Sequence, residues 1–192
     1  MSYVTYTTLA VVCGTYDRNT TDRSYRLFTR ELGMLYASAR SVRLEKSKQR
    51  QALQDFSLIK VSLVRGKAGW KIGSVSEQKN YYNAATDKEA RGSVVKIVRL
   101  LRRFLAGEEA QAALFDEYLQ ALEFFSLDCV QRSCYEHIFI QRILAQLGYI
   151  KSSDVPAVLS EVALADILPA TACDQDAAIA LSIERATIAS QL

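Results

Sequence analysis

The sequence predicts an α+β protein, with a small five-stranded β-barrel over residues 1–80 followed by an α-helical domain over 81–192. Three observations carry this. Short alternating apolar segments, separated by turn residues, fill the first part; apolar residues recur at helical spacing from Asp87 onward; and no internal repeat or low-complexity tract interrupts either pattern. With 49% hydrophobic and 23% charged residues, 192 positions suffice for one large domain or two small ones with genuine cores.

The strands follow in order. Thr5–Gly14 is rich in β-formers, and Thr15–Arg23 is a polar loop. Ser24–Thr29 is a second strand, Glu31-Leu32-Gly33 a tight turn, and Met34–Ala39 a third strand. Ser41–Gln54 is a highly charged connection with room for a helical turn. Ser57–Val64 alternates, with Ile59, Val61 and Leu63 opposite Lys60 and Ser62. Arg65-Gly66-Lys67-Ala68-Gly69 then forms a hairpin loop into Trp70–Val75. Five short strands in so few residues point to a small closed barrel of the OB-fold type.

The helices come next. Val94, Val95, Val98, Leu101 and Leu105 share a helical stripe, with Lys96, Arg99 and Arg103 on another side and Gly107 closing the helix. Leu114–Phe125 and Ile138–Leu147 are further helices, the latter ending at Gly148. Asp154 is placed to cap a helix running through Leu164, with Pro156 in its first turn. Pro169 is expected to break the chain, and Asp174 or Asp176 to start a last helix reaching about Ala189.

The near-neutral total of +3 hides a split. Residues 1–103 hold 20 of the 24 Lys+Arg and 8 of the 21 Asp+Glu, a formal +12, and the remainder carries −9. A basic half points to a polyanion-binding face, the alternative being two solvated surfaces of opposite sign. The sign changes one helix beyond the fold boundary, so the first helix is expected to share the barrel's basic surface.

Other classes fall away. No run of about 18 apolar residues exists to span a bilayer, and Met1–Tyr6 lacks the layout of a signal peptide, which predicts a cytoplasmic protein. Cys13, Cys129, Cys134 and Cys173 have no Cys-x-x-Cys spacing and read as free thiols, so no metal or cofactor is expected. His137 is the only histidine and lies in an apolar helical pattern, which suits packing better than acid–base work. No phosphate loop, nucleophile elbow or dinucleotide fingerprint occurs, and no catalytic residue is assigned.

The basic and aromatic residues gather where an OB barrel meets its ligand, the face of strands 2 and 3 and its flanking loops. Alternation puts Arg26, Phe28 and Arg30 on one face of strand 2, and Tyr36, Ser38 and Arg40 on one face of strand 3. The flanking loops add Tyr16, Arg18 and Arg23, and then Arg65, Lys67 and Trp70. Arg40–Arg50 places Arg40, Arg43, Lys46, Lys48 and Arg50 against the single acid Glu45. Cationic grooves with exposed aromatics suit single-stranded nucleic acid, because phosphate neutralisation releases counterions and unpaired bases stack on rings. Phe28, Tyr36 and Trp70 have the alternative of filling the barrel.

The stretch Ser24–Ala39, with Leu27-Phe28-Thr29-Arg30-Glu31-Leu32-Gly33 and then Arg40 and Lys46-Ser47, resembles the amino-terminal region of the RecO family of bacterial DNA repair proteins. Phe139–Tyr149, closing on Leu147-Gly148-Tyr149, is similar to a helix of that family. The resemblance implies an OB-fold with a helical domain, and a non-enzymatic recombination mediator, nucleoid-associated in the cytoplasm. Such a mediator binds single-stranded DNA, with double-stranded DNA left open as a further ligand, anneals strands and assists recombinase loading. Its implied partners are RecR and the acidic tail of single-strand DNA-binding protein. DNA-contacting positions would be Arg26, Arg30, Arg40, Arg43, Lys46, Lys48 and Arg50, of which Arg40 and Lys46 match the motif itself; Phe28 and Lys67 join them from the ligand-face reading. Arg132, Phe139 and Arg142 are the candidates for the tail pocket. Many family members carry a four-cysteine zinc module that this spacing lacks. Two other readings stay open, an OB-fold adaptor binding an acidic protein partner and a metal-dependent nuclease.

Overall fold

The computed structural model describes residues 4–160 and 162–189. It divides into two compact units, one running to Ala84 and taking in Ala106–Asp116, the other comprising Ala85–Leu105 and the chain from Glu117.

The first unit is a closed barrel. Its strands are β1 (Thr5–Asp17), β2 (Arg23–Thr29), β3 (Gly33–Ala39), β4 (Ser57–Gly66) and β5 (Gly69–Asn80), with a single helical turn α1 (Gln49–Ala52) before β4 and α2 (Tyr81–Ala84) after β5. Their order around the barrel is β1-β2-β3-β5-β4. This is the OB-fold arrangement, in which β1 pairs with both β2 and β4 and closure leaves no exposed edge. β1 and β5 are longer than their hydrophobic alternation suggests, because each continues through polar residues that keep pairing with a neighbouring strand. The interior is filled by Val12, Tyr25, Leu27, Leu35, Ile59, Leu63 and Trp70, the inward residues that alternation singles out on β2 and β4.

A break in register between Val12 and Gly14 inserts Cys13 as a β-bulge. Strict alternation from Ala10 and Val12, both inside, would send Tyr16 inside as well. The bulge shifts the phase, so Gly14 pairs with outward Arg26 and Tyr16 with Ser24.

Segment 106–116 is clamped to the outside of this barrel by the Leu27–Gly33 motif. Phe28 is fully buried, its ring 5.2 Å from that of Phe115 at 61°. Arg30 forks onto Asp116 through Nε (2.9 Å) and Nη2 (2.8 Å). Thr29 Oγ1 accepts from Leu32 N–H and donates to the Gly33 carbonyl, closing the turn. Gly33 has φ +65° and lies so close to the segment that a Cβ would come 2.8 Å from the Gly107 carbonyl oxygen, so only glycine fits. Met34 N–H then donates to that same carbonyl at 2.9 Å.

The second unit contains α3 (Lys88–Phe104), the later part of α4 (Ala112–Phe125), α5 (Arg132–Gln146), α6 (Ala157–Ser160) and α7 (Pro169–Ala189), with short 3-10 turns at Ser152–Asp154 and Leu164–Asp166. α3 is capped by Asp87, whose carboxylate accepts from Ala90 N–H at 2.7 Å. It buries Val94, Ile97, Val98 and Leu101, and leaves Arg91, Lys96, Arg99 and Arg103 exposed. α5 and α7 lie together, with Tyr135 Oη donating to the Ile167 carbonyl and Gln141 Nε2 to Ser182 Oγ.

Two expectations are corrected here. The expected helix from Asp154 to Leu164 is a 3-10 turn, then four residues of α6 after Pro156, then a second turn; Glu161 lies outside the described residues. The Arg142 guanidinium takes the Leu159 and Val162 carbonyls, supplying from outside the partners that a continuing helix would have supplied. Pro169 does not separate the chain from the last helix but is its first residue, where its fixed φ suits helix entry and its missing N–H costs nothing.

Candidate nucleic-acid interface

The first unit presents a polar outer face across β1, β2, β3 and β5. Register places Arg26 beside Tyr36, and Tyr16, Ser24, Ser38 and Lys71 in the adjoining row. Tyr36 is 54% and Tyr16 37% exposed, their ring centroids 6.0 Å apart at 52°. The Arg26 guanidinium lies over the Tyr36 ring, 5.7 Å from its centroid.

The segment after β3 continues from this face. Its start is pinned by the β1–β2 loop: Ser41 N–H donates to Asp22 Oδ1 at 2.8 Å, Arg43 N–H to the Thr21 carbonyl at 3.1 Å, and Arg43 Nη1 to the Asn19 carbonyl at 2.9 Å. The Ser41 N–H and the Asn19 amide together hold the Asp22 carboxyl below the usual carboxylate range. Arg43 also stands 3.7 Å from Asp17, a carboxylate that it shares with Arg23. Arg40, Arg43, Lys46, Lys48 and Arg50 are all exposed, and Lys46, Lys48 and Arg50 form no ion pair with any described residue. A polar groove of about 650 Å³ runs alongside, lined in part by Arg23, Glu45, Arg50 and Asp55. Lys67 is exposed in the β4–β5 turn, next to Arg65, which stacks 4.8 Å over Trp70 and pairs with Glu108.

The remaining expected contacts stand differently. Phe28 has no exposed surface and offers no face to a base. Arg30 is engaged by Asp116, which raises its already high pKa while Arg30 lowers that of Asp116. Trp70 belongs to the barrel interior. Strand 2 thus contributes Arg26 to the open face, while the other two residues expected beside it hold segment 106–116. Tyr16 and Tyr36, on the open face, are the pair that the motif-based selection left out. Tyr36 was signalled by its alternation with Leu35, whereas Tyr16 owes its position to the bulge.

In the second unit, the candidate tail pocket is not open. Phe139 is fully buried against Phe125, and Arg142 is 7% exposed, with burial lowering its pKa. Arg132 is spent on the Phe125 carbonyl at 2.8 Å and the Leu127 carbonyl at 2.6 Å. The neighbouring cavity of about 600 Å³ is lined by Glu117 and Glu123 as well as Arg142. Lys96 of the α3 stripe is paired with Glu136 at 2.6 Å, and Arg103 lies over Phe104. His137 Nδ1 meets Asp176 Oδ1 at 2.6 Å, a bond between helices.

The cysteines do not fit a zinc module. Cys13 is buried in β1, Cys134 and Cys173 face each other with sulfurs 3.0 Å apart, and no third metal-ligating side chain joins a group among the described residues. Also among the described residues, no helix is long and apolar enough to cross a membrane.

The two compact units differ in charge far less than the two halves of the linear sequence. The first unit carries 14 basic and 9 acidic residues, a formal +5, and the second 10 and 12, a formal −2. Basic α3 belongs to the second unit and acidic 106–116 to the first, so the contrast of +12 against −9 is largely an effect of where the line was drawn.

Residues 1–80 match the family model described as Recombination protein O N terminal. Over 128 residues the chain is 30% identical to a protein of Dehalococcoides mccartyi named DNA repair protein RecO, covering 67% of this chain and 50% of the relative. Proteins of the same name from Clostridium novyi and Desulfitobacterium hafniense are 23% and 25% identical over 144 and 140 residues, covering 75% and 73% of this chain and 56% and 50% of theirs. The chain spans about half the length of the curated relatives that it matches. The barrel over residues 1–80 is thus an amino-terminal domain of the RecO family, and beyond it the chain is similar to the RecO proteins over the stretches matched.

Proposed function

We propose that the chain is a DNA repair and recombination mediator that binds single-stranded DNA, promotes annealing of complementary strands and assists recombinase loading. The observation that carries this is the Arg40–Arg50 segment, whose five exposed cations stand against the single acid Glu45, anchored by the β1–β2 loop and continuous with the Tyr16–Arg26–Tyr36 face. The names of the relatives support the repair setting. The chain acts by binding, not turnover: the cations neutralise phosphates, and the work of annealing is done by holding flexible strands at lowered repulsion. RecR and the acidic tail of single-strand DNA-binding protein are its proposed partners, and the nucleoid its proposed place.

The test is a salt titration of oligonucleotide binding by the full chain and by the triple variant Arg40→Glu, Arg43→Glu, Lys46→Glu. The wild type should lose affinity steeply with salt, and the variant should bind weakly with a shallower slope. Equal binding by the two proteins removes the segment from the interface. The same segment supports a second reading, an adaptor for an acidic protein tail. Binding of an acidic peptide by a chain that binds no single-stranded DNA would select that reading.

A further inference from the structure

We infer that Tyr36 and Tyr16, braced by Arg26, form a stacking platform that makes this chain prefer unpaired over paired bases; the inference rests on the single-strand reading above. Phosphate contacts alone do not make a chain prefer a single strand, since a duplex presents the same anion at higher charge density. A device that distinguishes them must meet the base faces, which are open only when the strand is unpaired.

The outer face of the first unit has such a device. Tyr36 keeps more than half of its surface exposed although it sits mid-strand in β3, where its neighbours Leu35 and Ala37 are buried. Arg26, its direct partner across β2–β3, lies over that ring and restrains it. Tyr16 stands 6.0 Å away at 52°, held outward by the bulge at Cys13. Between and beside them the floor is small: Ser24 and Ser38 pair across the same two strands, and Ser38 Oγ is occupied with the Trp70 carbonyl at 3.3 Å. A base can therefore approach the sheet over the serines and lie against a tyrosine. Lys71 borders the row on β5, and Arg40 begins one residue after β3 ends, so phosphates on either side of a stacked base have cations within the same unit.

The experiment measures anisotropy of a labelled oligodeoxythymidine and of a duplex of equal length, at low and high salt, with Tyr36→Ala, Tyr36→Phe and Tyr16→Ala. Tyr36→Ala should weaken single-strand binding roughly 5- to 150-fold at both salts. Its salt slope should stay that of the wild type, and its duplex affinity should not change. Tyr36→Phe keeps the ring and should restore single-strand binding, and Tyr16→Ala should act in the same direction as Tyr36→Ala. Wild-type single-strand affinity in Tyr36→Ala overturns the platform while leaving the single-strand reading standing, as does an equal loss on single strand and duplex. A wild-type chain that binds neither oligonucleotide overturns both.

Discussion

Phe28→Ala separates the two roles that the sequence left open for this ring. Phe28 and Phe115 are both fully buried and meet edge to face at 5.2 Å. Emptying a buried phenylalanine site costs about 3–5 kcal/mol, of which about 0.5–1.5 kcal/mol belongs to the aromatic pairing itself. That is a large part of the roughly 5–15 kcal/mol that stabilises a typical domain. With a urea dependence of about 2 kcal/mol/M, the midpoint of the first unit should fall by about 2 M. The unit carries its own reporter, because the chain's single tryptophan, Trp70, lies in the barrel interior. Its fluorescence follows barrel unfolding while the helical unit remains silent. Phe28→Ala with Phe115→Ala should cost less than the sum of the single changes, since each removes the other's partner. The reasoning is refuted if Phe28→Ala unfolds at the wild-type urea concentration and instead loses single-strand affinity, for then the ring faces ligand and not segment 106–116.

The charge reversal at Arg40, Arg43 and Lys46 should lower the salt slope of single-strand binding by at least about 2, from about 0.7 per phosphate contact; an unchanged slope would show these cations to be bystanders. Arg142→Ala leaves the Leu159 and Val162 carbonyls without their donor and should destabilise the helical unit by about 2–4 kcal/mol in thermal unfolding followed by circular dichroism. Unaltered melting together with lost partner binding would return Arg142 to the partner surface. The Cys134 thiol, pushed up to about 11 by burial first and then by its neighbour Cys173, should be roughly a thousandth ionised at pH 8. Mass spectrometry should find it alkylated far more slowly in the folded chain than in urea, with the rate climbing as pH rises toward 11; equal rates folded and unfolded would contradict the packing.

Signals set by neighbours along the chain are legible in the sequence, and signals set by distant segments are not. Alternation in Ser57–Val64 and Ser24–Ala39 placed β2, β3 and β4 within a residue or two, because side-chain direction along a strand is set by the strand itself. The exposed Arg40–Arg50 run was legible for a similar reason: a string of cations with one acid has no partner nearby in sequence. Alternation leaves Phe28 open and Arg30 unengaged, because it tells which face a residue is on, not what meets that face. What meets it comes from 106–116, with Asp116 lying 86 positions beyond Arg30, and nothing local announces it. Tyr16 reads as a loop residue at the ligand face, whereas pairing beyond the bulge makes it part of β1, and Arg142 is occupied by carbonyls that a shortened helix offers from elsewhere in the chain.

The sequence by itself determined the order of the elements, the barrel followed by helices, and the cation-rich stretch from Arg40 to Arg50, since these follow from local periodicity and local charge. Only the tertiary structure decided which aromatic rings are core and which are surface, and to which unit each charged segment belongs. Burial and electrostatic pairing depend on distance in space, and the pairs that matter here, Phe28 with Phe115 and Arg30 with Asp116, are made by chain folding back over itself.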